Sequence, residues 1–256
     1  MVLLEVQGLT KRFGGLTAVN DVNFTVIERD MMGVIGPNGA GKTTLYNMVS
    51  GFLKPTKGRV FYKGENVTNL KPHELTFKGL VRTFQNNNLF QEMTVFKNVL
   101  VAHQHHSKDM LRRPLFASFA VWKKDRQNIE QKIMKILGYM GLTPFKNEMA
   151  KNLPHGLQRA LGIAIASATD PELLLLDEPL TGMNPQEVIT MTGLINGLRE
   201  KGITIMVVEH NMKAIMKLCN RIVVLNFGKK IAEGSPMEIQ NNKEVIEAYL
   251  GAEELR

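Results

Sequence analysis

Gly36-Pro37-Asn38-Gly39-Ala40-Gly41-Lys42-Thr43, followed by Thr44, is the stretch on which the reading of this chain turns. It has the spelling of a phosphate-wrapping loop: a glycine, four residues, then Gly-Lys-Thr. Its glycines let backbone N–H groups turn inward around phosphate oxygens. Lys42 reaches the terminal phosphates, and the Thr43 hydroxyl can ligate Mg²⁺. The flanks supply the context this chemistry needs. Met31 to Ile35 is a short apolar run that reads as a strand, and a helix is expected from Lys42 to about Ser50.

A second motif lies far along the chain. Leu173-Leu174-Leu175-Leu176-Asp177-Glu178-Pro179 reads as a buried parallel strand with two carboxylates at its C-terminal end, where open α/β sheets bind ligands, and Pro179 stops it there. Asp177 would hold Mg²⁺ through water. Glu178 would polarise a water in line with a γ-phosphate. Gln85 follows a candidate strand, Leu80 to Phe84, and His210 follows the strand Ile203 to Val208, so both are expected at the same crevice.

Around these motifs the pattern is regular. The first ~60 residues are rich in strand signals: loose alternation from Leu3 to Leu9, a second strand at Val22 to Ile27, and a strand and turn from Gly58 through Lys63-Gly64. Helical spacing appears in Val95 to Ala102 and in Ile129, Ile133, Ile136, Leu137 and Met140, with residues 103 to 125 between them reading as a loop-like stretch. From Leu157 onward, helices and strands alternate as βαβ units do, to about Leu225, and a hairpin is expected at Asn226 to Lys229. The sum is an α/β nucleotide-binding core interrupted by helices at roughly 86 to 160.

Composition agrees with a folded, soluble chain. It has 256 residues, 44% hydrophobic and 22% charged, with a net charge of +8, which excludes disorder, collagen and coiled coil. No apolar run approaches the ~20 residues of a membrane span, and no secretory signal is visible at the N-terminus. Cys219 is alone, so no intrachain disulfide forms.

The ordered set Phe13, Gly36 to Thr43, Gln85, Leu153 to Leu157, Asp177-Glu178, Thr181 to Asn184 and His210 resembles the ATP-binding subunits of ABC transporters over essentially the whole chain. The resemblance implies a P-loop NTPase (RecA-like) core over 1–85 and 160–256. That core would carry an N-terminal antiparallel β subdomain and an inserted α-helical subdomain at about 86–160. It implies ATP and Mg²⁺ as ligands, with Phe13 stacking on adenine, Thr43, Gln85 and Asp177 at Mg²⁺, and Glu178 and His210 as the catalytic pair. It also implies a head-to-tail dimer in which each ATP is closed by the partner's signature helix, integral permease subunits, an extracytoplasmic solute-binding protein, and a place on the cytoplasmic face of the membrane.

The signature departs from the family's Leu-Ser-Gly-Gly-Gln. It reads Leu153-Pro154-His155-Gly156-Leu157. Pro154 lacks a hydroxyl and an N–H, and His155 replaces a glycine where backbone approaches phosphate; Gly156 keeps the close approach. The site closed by this signature is expected to turn over more slowly than the one on this chain's own loop, which favours a non-identical partner. Phe90 to Val95, Asn98 to Leu100 and the ending Val245 to Gly251 look like the larger ATPase of branched-chain amino acid importers. Relatives that import urea or amides, or export lipopolysaccharide, share parts of these segments.

Three other features carry less. His103, His105 and His106 read as a solvated loop rather than a zinc site, and the basic amphipathic stretch Met110 to Trp122 as packing on its own helices or meeting a membrane or partner. A GTPase would need Asn-Lys-x-Asp, and Asn242-Lys243-Glu244-Val245 lacks the Asp. A non-transport relative acting on nucleic acid or ribosomes would carry duplicated cassettes or coiled-coil arms, and neither is present, so no nucleic-acid partner is expected.

Overall fold

Strand runs that are apolar at every position need cover on both faces, and the fold supplies it. The computed structural model describes residues 1–83, 89–106 and 119–253, with side chains outside 104–106, 119–126 and 251–253. In chain order the first half holds β1 (Val2–Phe13), β2 (Leu16–Ile27), β3 (Met31–Ile35), α1 (Lys42–Val49), β4 (Lys57–Tyr62), β5 (Glu65–Asn66), α2 (Pro72–Phe77) and β6 (Leu80–Arg82). Then come α3 (Val95–His106), α4 (Phe119–Tyr139), α5 (His155–Ser167), β7 (Leu173–Asp177), α6 (Pro185–Glu200), β8 (Thr204–Val208), α7 (Met212–Leu218), β9 (Arg221–Asn226), β10 (Lys229–Gly234), α8 (Pro236–Gln240) and α9 (Lys243–Glu253).

Two sheets result. One is four-stranded and antiparallel, in the order β2-β1-β4-β5; the other is six-stranded, in the order β10-β9-β3-β8-β7-β6, parallel except for the β9–β10 hairpin. Because side chains alternate across a strand, the central strands feed two cores. Met31, Ile35, Leu174, Leu176, Ile205 and Val207 face the helices. Met32, Val34, Leu173, Leu175, Met206 and Val208 face α1 and the antiparallel sheet. The lone thiol, Cys219, is packed at the first face 3.1 Å from where a Cβ on Gly33 would stand, and burial pushes it up to about 12, so it is inert filler rather than a nucleophile.

The strands of the first half are longer than the alternation predicts. Register shifts along β1, between Val6 and Leu9 and again near Lys11, absorb the extra residues and let twelve-residue strands stay paired. β6 is shorter than expected and ends at Arg82. The loop-like reading of 103 to 125 is corrected at both ends, since α3 runs on to His106 and α4 begins at Phe119. The His103 Nδ1 lies 3.2 Å from the Ala168 carbonyl oxygen beyond α5, so tertiary contact extends that helix and His103 is half-buried rather than solvated. Residues 107–118 of the basic stretch lie outside the described residues.

Candidate nucleotide site

Parallel strands bring their C-terminal ends to one edge of the sheet. There β3 leads into the glycine loop, β7 into Asp177-Glu178, β8 into Glu209-His210, and β6 ends at Arg82. Residues some 170 positions apart in sequence thus meet for a topological reason.

The loop is held by backbone contacts that only glycine permits. Gly36 has φ +153, and a Cβ there would stand 2.1 Å from the Leu225 carbonyl oxygen of β9. Gly41 has φ +101, and its Cβ would come 2.4 Å from the Ala18 carbonyl oxygen of β2. Gly41 caps α1 without a side-chain hydrogen bond, which leaves the first-turn N–H groups for an anion. Lys42 is buried at 5% exposure, and its Nζ donates to the Gly36 and Pro37 carbonyl oxygens at 2.7 and 2.9 Å. Burial lowers its pKa, and the Glu178 carboxylate partly offsets that. Thr43 is exposed and Thr44 half-buried in the same first turn, while Asn38 and Gly39 lie at the open tip and Ala40 is buried.

Asp177 ends β7, and Arg82 Nη2 donates to its Oδ2 at 2.7 Å with both side chains under 10% exposed. The same guanidinium, through Nη1, donates to Asn47 Oδ1 at 2.7 Å and Ser50 Oγ at 2.8 Å on and after α1. It lies 5.7 Å from both the Tyr46 and Phe52 ring centroids. Arg82 therefore ties β6, β7 and the helix of the phosphate loop together. Its local sequence does not single it out. The available signal was an arginine closing an apolar strand on the edge where a carboxylate must sit.

Glu178 sits in the left-handed region at φ +48, which costs on the order of 1 kcal/mol for a side chain of this type. Its N–H donates to the Val208 carbonyl oxygen at 2.9 Å. Its Oε1 lies 2.6 Å from His210 Nε2, and its Oε2 accepts from the Thr181 hydroxyl at 3.3 Å. The strained turn aims the carboxylate across to the neighbouring strand's loop.

The signature residues stand at another helix entrance. Pro154 is the N-cap of α5 with φ −52, Leu153 is buried, and His155 is exposed with its Cε1 3.4 Å from where a Cβ on Gly182 would stand. A Cβ on Gly156 would meet Glu187 Oε1 at 2.8 Å, and Leu157 is half-buried. Asn184 caps α6. Its Oδ1 accepts from the Gln186 and Glu187 N–H groups, and the Glu187 carboxylate accepts from the Asn184 N–H, a complete capping box. Phe13 lies apart at the tip of the β1–β2 hairpin, 48% exposed, with the Lys11 ammonium 5.2 Å from its ring centroid. Gln85 lies outside the described residues.

The donor set fits a small hard cation shared with phosphate. Thr43 offers a hydroxyl and Asp177 a carboxylate, and among the described residues no cluster of three or more His, Cys, Asp or Glu forms a self-sufficient metal site. Mg²⁺ is commonly held in this way, by one or two protein oxygens with phosphate completing the shell.

Comparison with known proteins identifies the family. The family described as ABC transporter matches residues 19–181, and one described as branched-chain amino acid ATP-binding cassette transporter matches residues 229–254. The high-affinity branched-chain amino acid transport ATP-binding protein BraF of Pseudomonas aeruginosa is 45% identical over 97% of this chain and 98% of its own length. Its counterpart LivG of Escherichia coli is 42% identical with the same coverage. The ADP conformation of MJ1267, an ATP-binding cassette of an ABC transporter, superposes with a TM-score of 0.85 at 30% identity, covering 98% of this chain and 99% of that one. With the phosphate loop, the carboxylate strand and the histidine turn gathered on one sheet edge, this chain belongs to the ABC transporter family as an ATP-binding subunit that hydrolyses ATP.

Proposed function

We propose that this chain is one of the two ATPases of an importer for branched-chain amino acids, docked on the cytoplasmic face of permease subunits that receive solute from an extracytoplasmic binding protein. The support is the near full-length similarity to BraF and LivG and the match of the last strand and helices to the branched-chain amino acid group. Among the described residues no helix is long and apolar enough to cross a membrane, so the translocation path is assigned to other polypeptides.

The mechanism rests on one observation, the 2.6 Å contact between Glu178 Oε1 and His210 Nε2 at the ends of adjacent strands. Lys42 exchanges the Gly36 and Pro37 carbonyls for the phosphates of ATP, and the amides of the glycine loop and first turn of α1 cradle them. Thr43 and Asp177, together with Gln85, would hold Mg²⁺, and the ion would supply charge neutralisation at the phosphates of ATP. Glu178 orients and polarises the attacking water. As that water's oxygen bonds to the γ-phosphorus, the bond to the β-phosphate oxygen breaks, giving ADP and phosphate. His210 holds the Glu178 carboxylate and then meets the γ-phosphate, and Phe13 receives the adenine.

The signature Leu153 to Leu157 closes the ATP of the partner subunit in a head-to-tail dimer. Its Pro154 and His155 make that site the slower of the two, and the partner a non-identical ATPase. Glu178→Gln tests the base: steady-state hydrolysis by the assembled transporter should drop at least ~10²-fold while ATP binding persists. Full hydrolysis in that variant would overturn the assignment.

A further inference from the structure

We propose that Glu209 is a positioning residue that latches the Glu178 loop to the His210 loop. The residue is 2% exposed, yet it ends in a carboxylate, which faces backbone amides. Oε1 accepts from the Leu180 N–H at 2.5 Å and Oε2 accepts from the His210 N–H at 3.0 Å, with the Asn211 amide also near enough to favour the charge. Leu180 lies two residues beyond Glu178, on the turn that leads to Thr181-Gly182, while His210 and Asn211 open the turn after β8. The two oxygens of one carboxylate therefore hold two loops whose side chains meet 2.6 Å apart at Glu178 and His210.

Three observations make this a device rather than a buried accident. A carboxylate this deep is costly unless its lone pairs are filled, and here backbone amides fill them from both loops. Burial raises the pKa of Glu209, the three amides lower it, and the nearby Glu178 charge raises it further, so the group stands in the electrostatic field of the catalytic carboxylate. Finally, neutral substitutes cannot copy the geometry. A glutamine has one acceptor oxygen, and its NH₂ would face an amide donor on one loop or the other. An aspartate keeps the charge but lacks the methylene that lets it span both. Glu209 does not touch the reacting atoms in this arrangement; it acts through Glu178 and His210, and so rests on the roles proposed for that pair.

The test uses the full-length chain in its assembled transporter, with Glu209→Gln, Glu209→Asp, His210→Ala, Glu178→Gln and the Glu209→Gln/His210→Ala double variant. Glu209→Gln and Glu209→Asp should each lower kcat about tenfold or more, with ATP affinity changed less than about twofold, because the phosphate loop hangs on other strands. Amide exchange at Leu180 and His210 should quicken in both. The double variant should be no slower than His210→Ala alone, to within about twofold, since one step fails in both. Unchanged kcat in Glu209→Gln alongside a dead Glu178→Gln would overturn the proposal. So would additive losses in the double variant, losses of kcat and ATP affinity in step, or failure of both Glu209 variants to fold. Full turnover in Glu178→Gln would overturn the choice of base instead, and the additivity with His210→Ala would still decide the latch.

Discussion

The phosphate loop and the signature turn are both entrances to helices, and they are built in opposite ways. At the phosphate loop, α1 begins at Gly41 in the left-handed region, backbone oxygens of β2 and β9 lie where side chains would be, and Lys42 is buried against the loop's own carbonyls. At the signature, α5 begins at Pro154 in an extended conformation, Pro154 and His155 are exposed, and the atoms nearest a Cβ on Gly156 belong to the movable side chain of Glu187. One entrance is completed by its own chain. The other presents Pro154 and His155 to solvent, the form proposed above for a surface that serves a partner's nucleotide. The contrast predicts that side-chain changes cost the fold more at the first entrance than at the second.

The largest effect is expected at Lys42. Lys42→Ala removes the ammonium proposed to reach the phosphates, and ATP turnover should fall by about 10³-fold or more, measured as phosphate release. Glycine to alanine at the two entrances then gives a direct comparison. Gly36→Ala drives a Cβ into a backbone carbonyl at 2.1 Å, so it should cost ~3 kcal/mol or more in thermal or denaturant unfolding and abolish nucleotide binding. Gly156→Ala meets a carboxylate end at 2.8 Å that can swing aside, and alanine gains up to ~1 kcal/mol of helix propensity, so the net change should stay within about 1 kcal/mol. Equal losses at the two glycines would break the comparison.

Arg82 tests how far the rigid region extends. Removing it in Arg82→Ala leaves the buried Asp177 carboxylate without its guanidinium, a change that costs roughly 3–5 kcal/mol in unfolding measurements. Arg82→Lys keeps a charge but loses the fork that also binds Asn47 and Ser50, and should fall between that variant and the parent. The smallest change in stability is expected for Pro154→Ser with His155→Gly: about 1 kcal/mol or less in the isolated chain, yet faster hydrolysis at the composite site that this signature is proposed to close. Per-site trapping of nucleotide would read the second effect, and equal rates before and after the change would remove any kinetic meaning from the degenerate signature.

Much of this was legible in the chain. The strands at Met31 to Ile35 and Leu173 to Asp177 and the helices from Lys42, Pro185 and Met212 lie close to where apolar runs and turn signals put them, because each is a local pattern with a local cause. Boundaries were less legible. β1 and β2 run on through bulges, and α3 reaches His106, where His103 meets the end of a helix 65 positions away. The two buried polar hubs were missed altogether. An arginine or a glutamate at a strand end reads alone as a solvated cap, and nothing local distinguishes Arg82 or Glu209 from many such residues.

The sequence by itself determined the chemistry on offer: a glycine loop with its lysine and threonine, two carboxylates on a strand end, and the order of strands and helices. These depend on residue type and short-range spacing. Tertiary structure alone decided which polar groups meet. Parallel strands in the order β9-β3-β8-β7-β6 align the ends of five segments distant in sequence, and burial of that edge obliges each carboxylate to find donors, Arg82 for Asp177, His210 for Glu178 and backbone amides for Glu209. Periodicity reports which face of an element is buried; it carries no record of which polar group waits on the neighbouring strand.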